Sequence, residues 1–233
     1  DLGTQGIPPT HRELLDYLSL TFMYDQNWSM KKLLKEMVMS ATYRQDSRTN
    51  ELLLKNDPAN KYYARASRIR LTAEQLRDQS LVVSNLLNRK MFGKPVMPFQ
   101  PDGIWRSPYN GDQWKMSGGE DQNRRALYTF WKRTSPYPSM ITFDGASRAV
   151  CITRRIRTNT PLQALTTLND SSFLVMARSF AVRMAKDGGS EIKQQLQYGY
   201  KAMMYKNITE ARLDALLKLH REAISVYKKD KVA

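Results

Sequence analysis

Four arginines, Arg148, Arg154, Arg155 and Arg157, stand close around Cys151, the chain's one cysteine. Guanidinium is planar, always charged and able to fork a carboxylate or phosphate, so a cluster without lysine reads as an anion site, for instance for an acidic sugar. The competing reading is internal: the same side chains pair with Asp144, Glu120 or Asp121 and fasten an irregular segment to the helices. Positive neighbours also favour the thiolate of Cys151. A nucleophile needs a base, however, and the two histidines, His11 and His220, sit at opposite ends of the sequence. The favoured expectation for Cys151 is a small buried side chain beside Val150 and Ile152.

Carboxylate pairs are the other candidates for chemistry. Glu13 with Asp16 and Glu74 with Asp78 are spaced for one helical face, and Glu120 adjoins Asp121. Any of them would suit a carboxylate-dependent hydrolase, although surface and capping uses are commoner. Two distant histidines and one cysteine give no zinc-like spacing. Asp112 with Glu120 and Asp121 lacks the regular pattern of a calcium loop. No catalytic residue and no metal ligand is therefore assigned. Trp105, Tyr109 and Trp114 form flat platforms of the kind that stack on sugar rings, with Arg106 and Lys115 nearby to grip acidic groups. The alternative is that these rings close the core under a long loop.

The elements that must position these residues are mostly helices. Thr10 with Glu13 fits a capping box and predicts a helix through Leu14, Leu15, Leu18 and Phe22. Ser29 caps a second helix carrying Leu33, Leu34, Met37, Val38 and Ala41, and the short link Asp25–Trp28 suggests an antiparallel pair. Asp57-Pro58-Ala59-Asn60 is a turn. Thr72 and Gln75 repeat the capping pattern before Leu76, Leu81, Val83 and Leu87. From about Phe92 to Gly119, Pro95, Pro98, Pro101 and Pro108 with several glycines exclude a long regular element. A disordered linker rarely holds two tryptophans, so this segment reads as an ordered loop.

Glu120-Asp121 predicts a helix start running through Leu127, Tyr128 and Trp131 and ended by Ser135–Pro138. Met140 to Arg157 reads as irregular. Thr160-Pro161 begins a helix, Asn169-Asp170 restarts it and Asp187-Gly188-Gly189 stops it. Two more helices follow, near Ser190–Tyr205 and Thr209–Lys229. The expected fold is mainly α: an irregular multi-helix domain with a long Pro/Gly/aromatic-rich ordered loop. It reads as a single domain over 1–233, with a helical part 8–90, the aromatic loop 91–120 and a helical part 121–230.

At 233 residues the chain can bury a core, and no apolar run approaches the length of a membrane span. Lys plus Arg number 37 against 22 Asp plus Glu, a net charge of +15. That excess suits polyanions or acidic polysaccharide, or simply solvates helix faces such as Lys31-Lys32 and Lys228-Lys229. One cysteine excludes an intrachain disulfide, a Cys-x-x-Cys motif and covalent c-type haem. The polar opening Asp1–Gly6 carries no signal peptide and reads as the interior of a longer protein.

Several strings, in order, carry a resemblance. They are Gly3-Thr4-Gln5-Gly6, Pro8-Pro9-Thr10-His11, Ser40-Ala41-Thr42-Tyr43-Arg44-Gln45, Arg70 to Asp78, and Phe99-Gln100-Pro101-Asp102-Gly103-Ile104-Trp105. The most specific are Arg124 to Thr134 (RRALYTFWKRT) and Arg157 to Leu165 (RTNTPLQAL), the latter running on to Leu168-Asn169-Asp170. Together they resemble the domain of unknown function 1553 family, the C-terminal domain of planctomycete-type cytochrome c proteins, over nearly the whole chain. Departures fall at Ile7, Asn123, Gly145-Ala146 and Ala149.

The resemblance implies a periplasmic, extracellular or cell-surface location and a non-catalytic structural or interaction module. Its implied partners are upstream modules of the same polypeptide or another exported protein. It implies haem c in an upstream module and no cofactor here; haem propionates then join acidic sugar as anions for the arginine cluster. A carbohydrate-binding module using Trp105, Tyr109 and Trp114 is the alternative, and a carboxylate hydrolase the second. Nucleic acid ranks last, for want of a binding motif.

Overall fold

The computed structural model describes residues 3–104, 113–152 and 154–229. The chain forms two compact units, Asp1–Arg70 and Leu71–Ala233. The boundary lies at Arg70–Leu71, just before the Thr72 cap, whereas the sequence pattern divides its helical parts at the aromatic loop.

In the first unit, α1 (Arg12–Leu20) runs into one wide π turn, Thr21–Asp25. Asn27 and Trp28 then take left-handed backbone conformations, φ 48° and 60°, and turn the chain toward α2 (Met30–Met39). Ser29 caps α2 as its spacing predicts, its Oγ accepting the Lys32 N–H at 3.4 Å. The Thr10–Glu13 capping box does not form. His11 occupies the N-cap position, and its ring Nε2 donates to the Lys61 carbonyl at 2.8 Å instead. A short α3 (Glu51–Asn56) is capped by the Asn50 side chain, which accepts the Leu53 N–H at 2.8 Å.

The Asp57–Asn60 turn forms, and Asp57 does more than turn. Its carboxylate is buried and accepts the N–H groups of Lys61 at 2.7 Å and Tyr62 at 2.9 Å. The Tyr62 N–H, ahead of the other groups around it, holds the Asp57 carboxyl below its ordinary range. Among the described residues of this unit, only Gln26 and Asp57 are buried, and neither is apolar.

The second unit holds α4 (Ala73–Val83), α5 (Pro138–Thr142), α6 (Pro161–Asn169), α7 (Ser171–Asp187), α8 (Ile192–Met204) and α9 (Glu210–Lys229). Helix α4 meets α5, α7 and α8, and the last four helices touch in chain order. A capping box closes at Thr72/Gln75, as read from sequence, and another at Thr160/Gln163, where the sequence marks a helix start. Asp170 ends α6 and begins α7, its carboxylate accepting the Ser172 N–H at 2.9 Å. At the α7–α8 corner, a Cβ on Gly188 would lie 2.5 Å from the Met184 carbonyl oxygen and 2.8 Å from the Gln195 Cα, so only glycine fits. The core gathers Ala73, Leu81, Ala126, Tyr137, Met140 and Met176 in this unit, with Leu213 buried on α9.

The helix expected from Glu120 through Trp131 is absent. Two short 3-10 turns, Gly119–Asn123 and Ala126–Tyr128, stand there instead. The backbone bonds elsewhere: Asn88 N–H donates to the Asn123 carbonyl at 3.0 Å, while Val96 donates to Tyr128 and accepts from Phe130, both at 2.8 Å. Partners distant in sequence thus outcompete the local helical ladder. Pro138 begins a helix rather than ending one, sitting at the first position of α5. Helix α4 stops at Val83, short of Leu87, where the Ser84 hydroxyl donates back to the Ser80 and Leu81 carbonyls.

Accessible surface totals 18104 Å² for a 27.0 kDa chain. Many apolar side chains on helix faces are exposed. On α2, Met30, Leu34, Met37 and Val38 recur at helical spacing and are all exposed. Among the described residues no helix is long and apolar enough to cross a membrane.

Candidate functional site

The arginine cluster divides. Arg155 reaches back to α4, where its Nη1 donates to both oxygens of Glu74, at 3.0 and 2.8 Å. Partial burial pushes the Glu74 carboxyl up, but the Arg155 hydrogen bond and charge outweigh it, and the net shift is downward. Arg148, left-handed at φ 59°, lies over the Trp131 ring at 5.1 Å. Trp131 in turn donates its Nε1–H to the Ser147 carbonyl at 3.3 Å. Arg154 and Arg157 are exposed and make no ion pair or hydrogen bond among the described residues. Two arginines thus serve the scaffold and two face solvent.

Asp144, expected as an arginine partner, is engaged by the RTNTPLQAL motif. Thr158 donates its N–H to Asp144 Oδ2 at 2.7 Å and its hydroxyl to Oδ1 at 2.9 Å. The buried Gln163 amide donates to the Thr142 carbonyl at 3.0 Å, to Asp144 Oδ2 at 3.3 Å and to the Thr158 hydroxyl at 3.1 Å. Its oxygen accepts the Thr160 N–H at 3.3 Å, completing the cap of α6. One glutamine thereby starts a helix and holds the loop beside it.

The RRALYTFWKRT motif works in the same way. Arg124 is buried and donates to three main-chain carbonyls: Lys94 at 3.2 Å, Lys90 at 3.2 Å and Phe92 at 2.6 Å. Its guanidinium also lies 3.8 Å over the Tyr128 ring. Asp78 accepts the Ala126 N–H at 2.7 Å and an Arg125 N–H at 3.3 Å. This use of Glu74 and Asp78 accounts for one carboxylate pair: each is bonded to an arginine of a different segment.

Of the aromatic platform, Trp105 and Tyr109 lie outside the described residues, as do Arg106 and Asp112. Trp114 is half-buried, stacks on the buried Tyr137 with ring centres 5.8 Å apart, and donates its Nε1–H to the Pro98 carbonyl at 2.8 Å. Tyr137 donates its hydroxyl to Phe99 at 2.7 Å. Trp114 therefore spends a ring face and its donor on the core.

Cys151 is exposed, a correction to the buried position expected from its apolar neighbours. Val150 and Ile152 are exposed with it, because the segment between α5 and α6 runs over the surface and buries neither flank. His11 belongs to the first unit and is bonded to Lys61 there. Among the described residues, no three His, Cys, Asp or Glu side chains are grouped to hold a metal ion.

Sequence reasoning passes over the burial of Arg77 on α4. Its RLTAEQLRD string reads as a capped helix start, and only the neighbouring Phe99, Gln122 and Met176, brought from three segments, reveal its burial. Fold and side-chain geometry together define a mainly α-helical module whose longest motifs hold its own backbone. The chain belongs to the PSD1 family, proteins of unknown function (DUF1553), whose model matches residues 1–220 of the 233. No curated protein and no solved structure matches it.

Proposed function

We propose that this chain is a non-catalytic docking module of a larger exported bacterial protein, seated against upstream modules of that polypeptide or against another exported protein. The observation that carries the reading is the uncovered apolar stripe of α2, Met30, Leu34, Met37 and Val38, on a unit with no buried apolar residue among those described. Apolar faces of this kind on a charged, basic chain mark a surface awaiting a partner. Export, and haem c in an upstream module rather than here, rest on the family resemblance. In the second unit, the solvent-facing Arg154 and Arg157 suit acidic groups of a partner.

Hydrogen exchange of residues 30–38 in the full parent protein, compared with this chain alone, tests the reading. Protection in the parent is expected, and Leu34→Asp with Met37→Asp removes it while the isolated chain melts as before. Equal exchange in both contexts would sink the proposal.

A further inference from the structure

The second unit contains a cavity of about 290 Å³ between α4, the start of α7 and the Pro98–Phe99 segment. Its walls are mostly apolar, built by Leu81, Pro98, Phe99, Met116, Val175 and Met176. Among the described residues, one cation lines it. Arg77 is only 7% exposed, yet its single hydrogen bond among the described residues runs from Nη2 to the Gln122 carbonyl at 2.6 Å. Its Nε is buried with no partner.

A guanidinium stays charged under all ordinary conditions, and burying it unpaired costs several kcal/mol. Burial disfavours the charged form of Arg77 first of all, with nearby Tyr137, Asp78 and Asp170 acting in the opposite direction. Neither carboxylate neighbour pairs with it. Asp78 is committed to Ala126 and Arg125, and Asp170 to the first N–H groups of α7. The charge is thus fixed, desolvated and without a direct ion pair, at the wall of an apolar cavity.

We propose that this cavity binds a small apolar monocarboxylate, its carboxylate against the Arg77 guanidinium and its body among Leu81, Phe99 and Met176. The ligand carries one negative charge because one guanidinium faces it, and a phosphate dianion would leave half its charge unpaired. The volume sits at the small end of ligand pockets and admits a body of about ten heavy atoms. The site does not depend on the docking reading, since it lies in the other unit.

Calorimetric titration of the full chain tests this with octanoate and 4-phenylbutanoate, their neutral amides, and octylammonium. N-acetyl-leucine, which presents the same carboxylate behind an amide body of similar size, separates a free acid from a chain terminus; binding of either kind of carboxylate supports the site. The acids are expected to bind at one site, with the amides about tenfold or more weaker and octylammonium silent. Acids and amides binding alike, or no carboxylate binding at roughly 10 mM, overturns the proposal. Arg77→Met is expected to erase the preference for acid over amide without lowering Tm, because it removes an unpaired buried charge. A folded Arg77→Met protein that keeps the preference also overturns it. Should that variant fail to fold, the wild-type acid–amide comparison decides alone.

Discussion

The two units are held by different physics. The second has Leu81, Tyr137 and Leu213 at 1% exposure, and its polar motifs fasten loops around that core. The first has three helices, two buried polar residues and no buried apolar side chain among those described. Its order comes from polar anchors: Asp57 collecting two N–H groups, Arg65 donating to the Asp57 and Pro58 carbonyls at 3.0 Å each, and Glu36 accepting from Tyr17 and Gln26. Hydrogen bonds fix geometry but contribute only about 1 kcal/mol each, whereas burial supplies most of a domain's stability. In the first unit, polar anchors set the geometry where the second relies on a buried core.

Five variants probe that contrast, beginning with the largest effect. Leu81→Ala should cost about 3 kcal/mol in urea denaturation, since it empties part of a filled core. Arg124→Ala, which strands three carbonyls, should cost about 2–3 kcal/mol and selectively raise hydrogen exchange at Val96 and Phe130. Thr160→Ala should lose about 1 kcal/mol through its cap and loosen the Asp144 loop, visible as faster exchange at Thr158.

Glu74→Gln should cost at most about 1 kcal/mol at neutral pH. Because the folded Glu74 pKa lies below 4.5, that difference is complete above pH 4.5 and fades as pH falls through the folded value. A Glu74→Gln penalty that grows toward acid would contradict the ion pair. Smallest of all, Leu34→Ala should move the isolated chain by no more than about 0.5 kcal/mol. If it matched Leu81→Ala, the first unit would possess a core after all and the contrast would collapse.

Helix starts with a local signal were readable, apart from Thr10–Glu13, where His11 takes the N-cap position. Ser29, Thr72 and Thr160 cap because an oxygen three residues upstream finds its N–H without help from the rest of the chain. Asp170 is the same case, and the mainly α fold follows from such signals together with the apolar spacing. The segment after Glu120 misled because its Leu127–Trp131 spacing is helical, while its backbone bonds went to residues 88 and 96. Nothing local in the sequence announces those partners.

The arginine cluster was legible as a cluster but not as a division of labour. The Arg155–Glu74 pair spans 81 positions, and the sequence offered the nearer Asp144. Arg77 was invisible for a related reason: periodicity marks apolar faces, and a buried cation breaks the pattern it belongs to. The α2 stripe shows the converse, a correct helical face whose exposure no spacing rule foretells.

The grip of Arg124 reads only main-chain oxygens. The side chains of Lys90 and Lys94 are therefore free to drift, while the number of links between them is not, since Phe92 at φ 62° and Gly93 at φ 92° bend the strap to bring its oxygens to one cation. Spelling is negotiable at Lys90 and Lys94, whereas Gly93 and the length are fixed. Deleting or inserting a single residue between 90 and 94 would move an oxygen out of reach, whatever letters remained.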